Sequence, residues 1–449
     1  MCQQDGFFVM SVLNTLTDRL SDFLDCSARQ IVIGYSGGVD SHLLLHAVAS
    51  LTKQFSQHRY LAVYVNHGLS EHADKWQAHC GAICEALAMP FRAIRVDVDP
   101  QSPQGIEAAA RSARYRALES VTEHHGIILL GQHQDDQLET FLLQLKRGAG
   151  PKGLSAMPQE LTRENGVRLV RPMLGINRDT VLQLAKQANL QWIEDESNQD
   201  ERFDRNFLRQ QIVPKMLERW PDMAQAVQRS AHLCAEQQRL LDEVTLTYLS
   251  ALQNDDNALH IPSLLRYSSS WQNQIVRLWL AQQGVPLPSQ AVLLELPSLL
   301  TAKRDAEPKI VFGDFQFRRF REYLYCIECY QSISSEHEFE LDGQQIIMPN
   351  RLGKLHFSLI PEVLNQGRLY LRSVALSFKF KPATEPHSKP LKQWFKLWDI
   401  PVWQREQSLM LFHDNVCLGV CINGKLIFSH DAPVELKDKV AWHASAPVL

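Results

Sequence analysis

The sequence predicts an α/β protein: a parallel-sheet catalytic domain, then a mainly helical middle domain and a small mixed α/β C-terminal domain. Three observations predict it. Short apolar runs alternate with helix-period segments over the first 150 residues. A glycine pair sits where the first apolar run gives way to a helix. After Gln344 the pattern breaks into short strands and turns around Pro382, Pro386, Pro390 and Pro401.

Gln30 to Tyr35 reads as a buried strand, and Ser41 to Leu51 as the helix after it. Leu61 to Val65 is a second strand, followed by a helix from about Glu71 to Ala88. Phe91 to Val98 alternates as a third strand before a helix over Gly105 to His124. Ile127 to Leu130 is the fourth strand and Gln134 to Lys146 its helix. Ligands of such sheets sit beyond the carboxyl ends of the strands. Helical patterns continue from Arg178 to Met216, broken by the polar stretch Glu194 to Arg205, and the amphipathic Met223 to Ala251 follows. Ile310 to Tyr330 turns strand-like. The expected division is 1–220, 221–340 and 341–449.

The composition, 45% hydrophobic and 21% charged over 449 residues, is that of a soluble globular protein with several cores. No apolar run approaches the roughly 18 residues that span a bilayer. With scattered cysteines and no charged leader, this gives no membrane partner and a cytoplasmic location. Either a monomer or a homodimer is compatible with it. The formal charge of −4 leaves any RNA contact to local basic surfaces.

The strongest local signal is Ser36-Gly37-Gly38-Val39-Asp40-Ser41, between the first strand and its helix. Adjacent glycines let backbone N–H groups turn toward an anion, and the helix start adds unpaired donors. Asp40 would repel phosphate unless a cation intervened, which suggests Mg²⁺. A Walker loop needs a lysine before the last serine, and a dinucleotide fingerprint needs G-x-G-x-x-G; both are absent. A plain glycine turn is the alternative.

Four clusters accompany the loop. Asn66-His67-Gly68-Leu69 closes the second strand. Glu107, Arg111 and Tyr115 are four apart on the third helix, either a functional stripe or a solvated ion-paired face. Gln132-His133-Gln134-Asp135-Asp136-Gln137-Leu138-Glu139-Thr140 follows the fourth strand. Its acids cap a helix, or hold Mg²⁺ and an amine. Last come Arg171-Pro172, Asp195-Glu196-Ser197-Asn198 and Arg205-Asn206-Phe207-Leu208-Arg209.

The hexapeptide matches the PP-loop of ATP pyrophosphatases, and the motifs in this order resemble the tRNA(Ile)-lysidine synthetase family over about residues 30–210. Leu391-Lys392-Gln393-Trp394-Phe395 and Ile400-Pro401-Val402-Trp403 resemble its C-terminal domain. One departure is Gln132, where the family carries a histidine. The resemblance implies ATP cleavage between the α- and β-phosphates. The O2 of the first anticodon cytidine of a minor isoleucine tRNA, anticodon CAU, attacks the α-phosphorus. The ε-amine of free L-lysine then attacks C2 and expels AMP. In the corresponding site, Ser36 to Ser41 with His67 and His133 hold ATP. Asp40 and Asp136 hold Mg²⁺. Asp136 and Glu139 receive the lysine amines, and Arg111 or Arg205 its carboxylate or a tRNA phosphate.

Between Arg372 and Glu406 seven basic residues, Lys389 and Lys392 among them, face three acids, with Trp394, Phe395, Trp398 and Trp403 interleaved. Such a mixture holds RNA phosphates and stacks bases, although at least two of these aromatics are expected in a core. Arg318-Arg319-Phe320-Arg321 either lines the tRNA path or decorates a strand. The pairs Cys326/Cys329, Cys80/Cys84 and Cys417/Cys421 are too dispersed for one metal site. Two rivals remain: a PP-loop tRNA thiolase, which needs a reactive cysteine pair, and a non-catalytic RNA-binding protein.

Overall fold

The computed structural model describes residues 16–443, except 69, 71, 100–104, 164, 195, 197–199, 304–306, 334–336, 351, 365, 423 and the side chain of Glu107. Leu69, Asp195, Ser197 and Asn198 of the motifs above therefore lie outside the described residues. The chain divides into two compact units, residues 1–241 and 242–449, so the middle and C-terminal segments expected as separate domains share the second unit.

The first unit opens with a helix over residues 16–24, α1. Strands β1 (Gln30–Gly34), β2 (Arg59–Asn66), β3 (Phe91–Arg95) and β4 (Ile127–Leu130) alternate with helices α2 (Val39–Leu51), α3 (Ala73–Ala86), α4 (Ile106–Ser120) and α5 (Gln134–Lys146). A short helix α6 (Pro151–Leu154) precedes β5 (Glu160–Thr162), β6 (Arg168–Val170) and α7 (Arg178–Gln187). The sheet order is β3-β2-β1-β4-β6-β5, parallel except for β5. Neither β5 nor β6 was anticipated, because three residues are too few to show a period.

Alternation along the strands sorts the core into two faces. Ile31, Ile33, Ile127 and Leu129 pack with Leu44 and Val48 of α2 and with Val181 and Leu184 of α7. Val32, Val63, Ile128 and Leu130 pack with Leu118 of α4 on the other face. Both faces are covered, so these strands read as continuous apolar runs. Chain order reverses on either side of β1, which makes the crevice between the ends of β1 and β4 the expected ligand position.

Beyond α7 the chain forms α8 (Asp204–Phe207), a π-helical stretch (Leu208–Ile212), α9 (Val213–Arg219) and the long α10 (Met223–Leu252). In the second unit, β7 (Leu259–His260), β8 (Lys309–Phe312), β9 (Phe315–Phe320) and β10 (Tyr323–Glu328) form a four-stranded antiparallel sheet ordered β7-β10-β9-β8. Helices Ser269–Gln282 and Gln290–Leu300 bury Trp279, Leu280, Leu293 and Leu296 in the same core as Phe317 and Leu324. The C-terminal part holds a five-stranded sheet containing Leu369–Arg372 and Leu409–His413, and the short helices Leu391–Leu397 and Val402–Glu406. No helix among the described residues is long and apolar enough to cross a membrane.

His42 and His46 of α2 and His79 of α3 bring three imidazoles together. His42 is 1% exposed, and Tyr35 Oη lies 2.8 Å from its Nδ1. The ring centroids of His46 and His79 are 4.9 and 6.5 Å from it. Burial, helped by His46 and His79, pulls the His42 pKa down to about 4. In the unfolded chain His42 takes its proton near 6.5, so its contribution to stability is full above that pH and is lost as pH falls toward 4. Acidification over this window should cost on the order of 3 kcal/mol from this group. Urea unfolding at pH 7 and pH 4.5 checks it: His42→Gln should flatten the difference, and an undiminished difference would acquit His42.

Candidate active site

The loop after β1 is closed by its own atoms. Ser41 Oγ accepts the Ser36 N–H at 3.1 Å and donates to the Gly38 carbonyl at 3.1 Å, with Ser36 Oγ a further 3.1 Å away. The two hydroxyls, expected to face an anion, thus serve first to shape the loop. Gly37 is required twice over. Its φ is +83°, and a Cβ there would lie 2.7 Å from Ile193 Cδ1 and 2.9 Å from Cys80 Sγ. The Ile193 N–H also bonds to the Gly37 carbonyl at 3.0 Å. What the loop offers an anion is backbone: the first-turn N–H groups of α2, which have no partner within the helix.

Two more helix starts meet this one. Gly131, at the end of β4, is so close to α2 that a Cβ would lie 3.0 Å from Asp40 C, Asp40 O and Ser41 N. His133 caps α5 with its backbone, its N–H bonding to Asp136 Oδ2 at 3.0 Å. Asp135 Oδ1 accepts the N–H of Arg178, the first residue of α7, at 2.9 Å. The paired aspartates therefore divide their work: Asp136 ties off α5, and Asp135 ties α5 to α7.

Asp40 stands apart from both. Its Oδ1 is buried without a hydrogen-bond partner. Nearest is His133 Nε2 at 3.6 Å, which is also 3.5 Å from Asp136 Oδ2. Burial, with the Asp136 charge beside it, raises the Asp40 pKa, against the pull of His133, Arg178 and Arg209. Burial alone would raise Asp136 too, but His133, Arg205, Arg209 and the capping N–H bring it down to about 2. An orphaned carboxylate oxygen beside an ionised one fits a cation. Mg²⁺ commonly takes one or two carboxylates and completes its shell from phosphate and water. Asp40 and Asp136 suit that, although among the described residues no three His, Cys, Asp or Glu form a cage of their own.

Glu139 and Arg205 are joined to each other and to Asp136. Arg205 Nε reaches Glu139 Oε2 at 2.8 Å and its Nη2 reaches Asp136 Oδ1 at 3.0 Å. Arg209 donates to Glu139 Oε1 at 2.6 Å, Glu139 Oε2 at 2.9 Å and Asp136 Oδ1 at 3.1 Å. Both oxygens of Glu139 accept from these guanidiniums, and its side chain is 1% exposed. Arg205 and Arg209 together balance the charge of the acid pair.

The other candidates surround this centre. Arg111 lies over the Tyr115 ring at 5.5 Å, and Tyr115 Oη receives Nη2 of both Arg111 and Arg171 at 3.4 Å. The Tyr115 phenol is thus held between two guanidiniums. Arg171 Nε also donates to Gln132 Oε1, so the residue departing from the family pattern orients an arginine. His67 ends β2 with Nδ1 buried and unpartnered, and burial lowers its pKa, as does nearby Arg114. Gly131, Arg178 and Ile193 were missed by the sequence reading. A glycine at a strand end was a usable signal for the first; the other two carried none.

In the second unit Lys392 is exposed, and Lys389 Nζ sits 4.6 Å from the Trp394 ring centre. Trp394, Phe395 and Trp403 are buried, as expected for at least two of these aromatics. The arginine run is strand structure rather than an open path. Arg318 is buried under Trp403, Arg319 Nη1 binds the carbonyls of Leu300 and Ala302 at 2.8 and 2.6 Å, and Arg321 pairs with Asp399. Burial pushes the Cys80 and Cys84 thiols up to about 12, the reverse of a reactive pair.

The chain is similar to known proteins over most of its length. Residues 12–216 match the PP-loop domain family, 259–325 the TilS substrate binding domain and 369–424 the TilS substrate C-terminal domain. The tRNA(Ile)-lysidine synthase of Serratia proteamaculans is 40% identical over 410 residues, covering 88% of this chain and 92% of that protein. That of Vibrio vulnificus is 40% identical over 399 residues, covering 86% and 90%. That of Yersinia pseudotuberculosis is 39% identical over 440 residues, covering 92% and 93%. Among solved structures, a U34-tRNA thiolase from Methanococcus maripaludis is similar at 17% identity and a TM-score of 0.44, covering 51% of this chain and 79% of that one.

The acid–arginine quartet yields a stability prediction. Glu139→Gln leaves two half-buried guanidiniums with one carboxylate, and should lower the unfolding free energy by about 2 kcal/mol. Denaturant unfolding measures it; unchanged stability would mean that the pairing does not support the fold.

Proposed function

Because this chain belongs to the tRNA(Ile)-lysidine synthase family, we propose that it joins the ε-amine of free L-lysine to C2 of the first anticodon cytidine of a minor isoleucine tRNA with a CAU anticodon. ATP is consumed to AMP and pyrophosphate. One observation carries the reading: a bare-backbone loop opens α2 beside an orphaned Asp40 oxygen and an ionised Asp136.

The chemistry runs in two displacements. The cytidine O2 bonds to the α-phosphorus as the bond to the β-phosphate bridge breaks and pyrophosphate leaves. The lysine nitrogen then bonds to C2, the C2–O2 bond breaks, and AMP departs with that oxygen. The first-turn N–H groups of α2 hold the leaving phosphates where charge builds. Asp40 and Asp136 would hold Mg²⁺, which supplies neutralisation of the polyphosphate when bound. His67 and His133 face the nucleotide. Asp136 and Glu139 receive the lysine amines in exchange for part of their contact with Arg205 and Arg209, which fix both acids in place. Arg111, steadied by Tyr115, receives the lysine carboxylate or a tRNA phosphate. The ammonium loses one proton before attack, and a carboxylate or a substrate phosphate oxygen accepts it.

Residues 1–220 form the catalytic domain in this reading, while 221–340 and 341–449 bind the tRNA, the latter through Lys389 and Lys392. The enzyme acts in the cytoplasm. A thiolase reading lacks support: the two thiols of the catalytic unit that lie side by side on α3 are buried and protonated.

Incubation with ATP, the isoleucine tRNA and radiolabelled lysine should place label in the tRNA; thiolated tRNA without label would overturn the reading. Asp40→Asn should cut tRNA-dependent pyrophosphate release by at least about a hundredfold while tRNA still binds. Normal release by that variant would remove Asp40 from the reaction. Reversing charge at Lys389 and Lys392 together should weaken tRNA binding and flatten its dependence on salt. Filter binding at several salt concentrations reads this out, and unaltered affinity would dismiss the patch.

A further inference from the structure

Helix α5 has a second face that the reaction does not use. At 100° per residue Gln137 projects roughly 160° away from Glu139. It borders a cleft of about 230 Å³ that is also lined by Arg19 of α1, Ser155, Gln159, Gly175 and, from α10, Gln228 and His232. None of the lining residues carries a carboxylate. His232 Nε2 lies 3.7 Å from the half-exposed Glu236, and Asp22 stands three residues on from Arg19 along α1.

The donors in this cleft converge. A methyl group built on Gly175 would lie 3.1 and 3.5 Å from the two terminal nitrogens of Arg19 and 3.6 Å from Gln228 Nε2. Gln228 is oriented for this, since its Oε1 already accepts Gln134 Nε2 at 2.8 Å. Arg19 Nη1 makes a long hydrogen bond, 3.5 Å, to the Pro172 carbonyl. The wall opposite is braced: Gln137 is buried, donates to the Met157 carbonyl at 2.9 Å and accepts the Met157 N–H at 3.0 Å. That two-point grip holds Ala156 in the left-handed region, φ 51°, and keeps Ser155 at the rim.

We propose that this cleft seats a phosphate group, gripped by Gln228 and by the Arg19 fork, which packs closely over Gly175. A guanidinium fork with an amide N–H is the donor set that tetrahedral oxyanions accept. The group belongs either to the backbone of bound tRNA or to free phosphate. Its seat touches α5 and the turn leading into α7, the two helices that Asp135 joins at the reaction centre.

Thermal unfolding of the full-length protein, titrated with inorganic phosphate against chloride of equal ionic strength, tests this. Wild type is compared with Arg19→Gln, which removes the fork, and Gly175→Ala, whose methyl pushes the fork aside without removing charge. Phosphate in the loop of α2 stabilises all three alike, so the difference between them is the readout. Both variants should need about tenfold more phosphate for the cleft's share of the stabilisation. In parallel, Arg19→Gln should lower the slope of log tRNA affinity against log salt by about one if the phosphate is the tRNA's. Loss of the phosphate response with tRNA binding intact assigns free phosphate; loss of tRNA affinity assigns the RNA backbone. Equal phosphate responses in all three proteins with an unchanged salt slope mean an adventitious ion only, and overturn the proposal.

Discussion

The active centre depends on the absence of a side chain at Gly131. Because nothing projects there, the end of β4 lies against the backbone of Asp40 and Ser41, and the starts of α2 and α5 share one volume. A helix start concentrates unpaired N–H donors and partial positive charge. Bringing several together makes a strongly anion-attracting pocket at the switch point of the sheet. The phosphate loop is thus only one wall of it.

That crowding explains how the acids are distributed. Adjacent carboxylates are tolerable here because each has a separate counterpart. Asp135 takes the first N–H of α7, Asp136 takes the capping N–H of α5 together with two guanidiniums, and Glu139 is surrounded by those same guanidiniums. Asp40 has no such partner, and burial raises its pKa as a result. A desolvated carboxylate left without a donor is costly unless a ligand or cation completes it. The imbalance among four acids, rather than their number, sets Asp40 apart.

In the second unit, aromatic and basic residues that look alike along the chain separate by depth. Trp394 gives its indole N–H to the Phe380 carbonyl at 2.7 Å from within the core, while Lys389 lies across its ring. Arg318 and Arg319 close off hydrophobic and helix-terminal groups and are unavailable as a phosphate track. Lysine stems can cover apolar surface and keep their charge in water, which leaves Lys389 and Lys392 as surface cations.

Sequence alone determined the alternation of strands and helices, the glycine loop between β1 and α2, and the position of the acids at a helix start. Each of these is a local pattern, governed by side-chain period and by the backbone freedom of adjacent glycines. Only the tertiary structure decided which acid is paired: Arg205 and Arg209 lie 66 and 70 residues along the chain from Glu139, and no spacing rule relates them. The same is true of Gly131 against Asp40 and of Ile193 against Gly37. Their meaning is a close approach between segments, and that exists only once the sheet has brought the segments together.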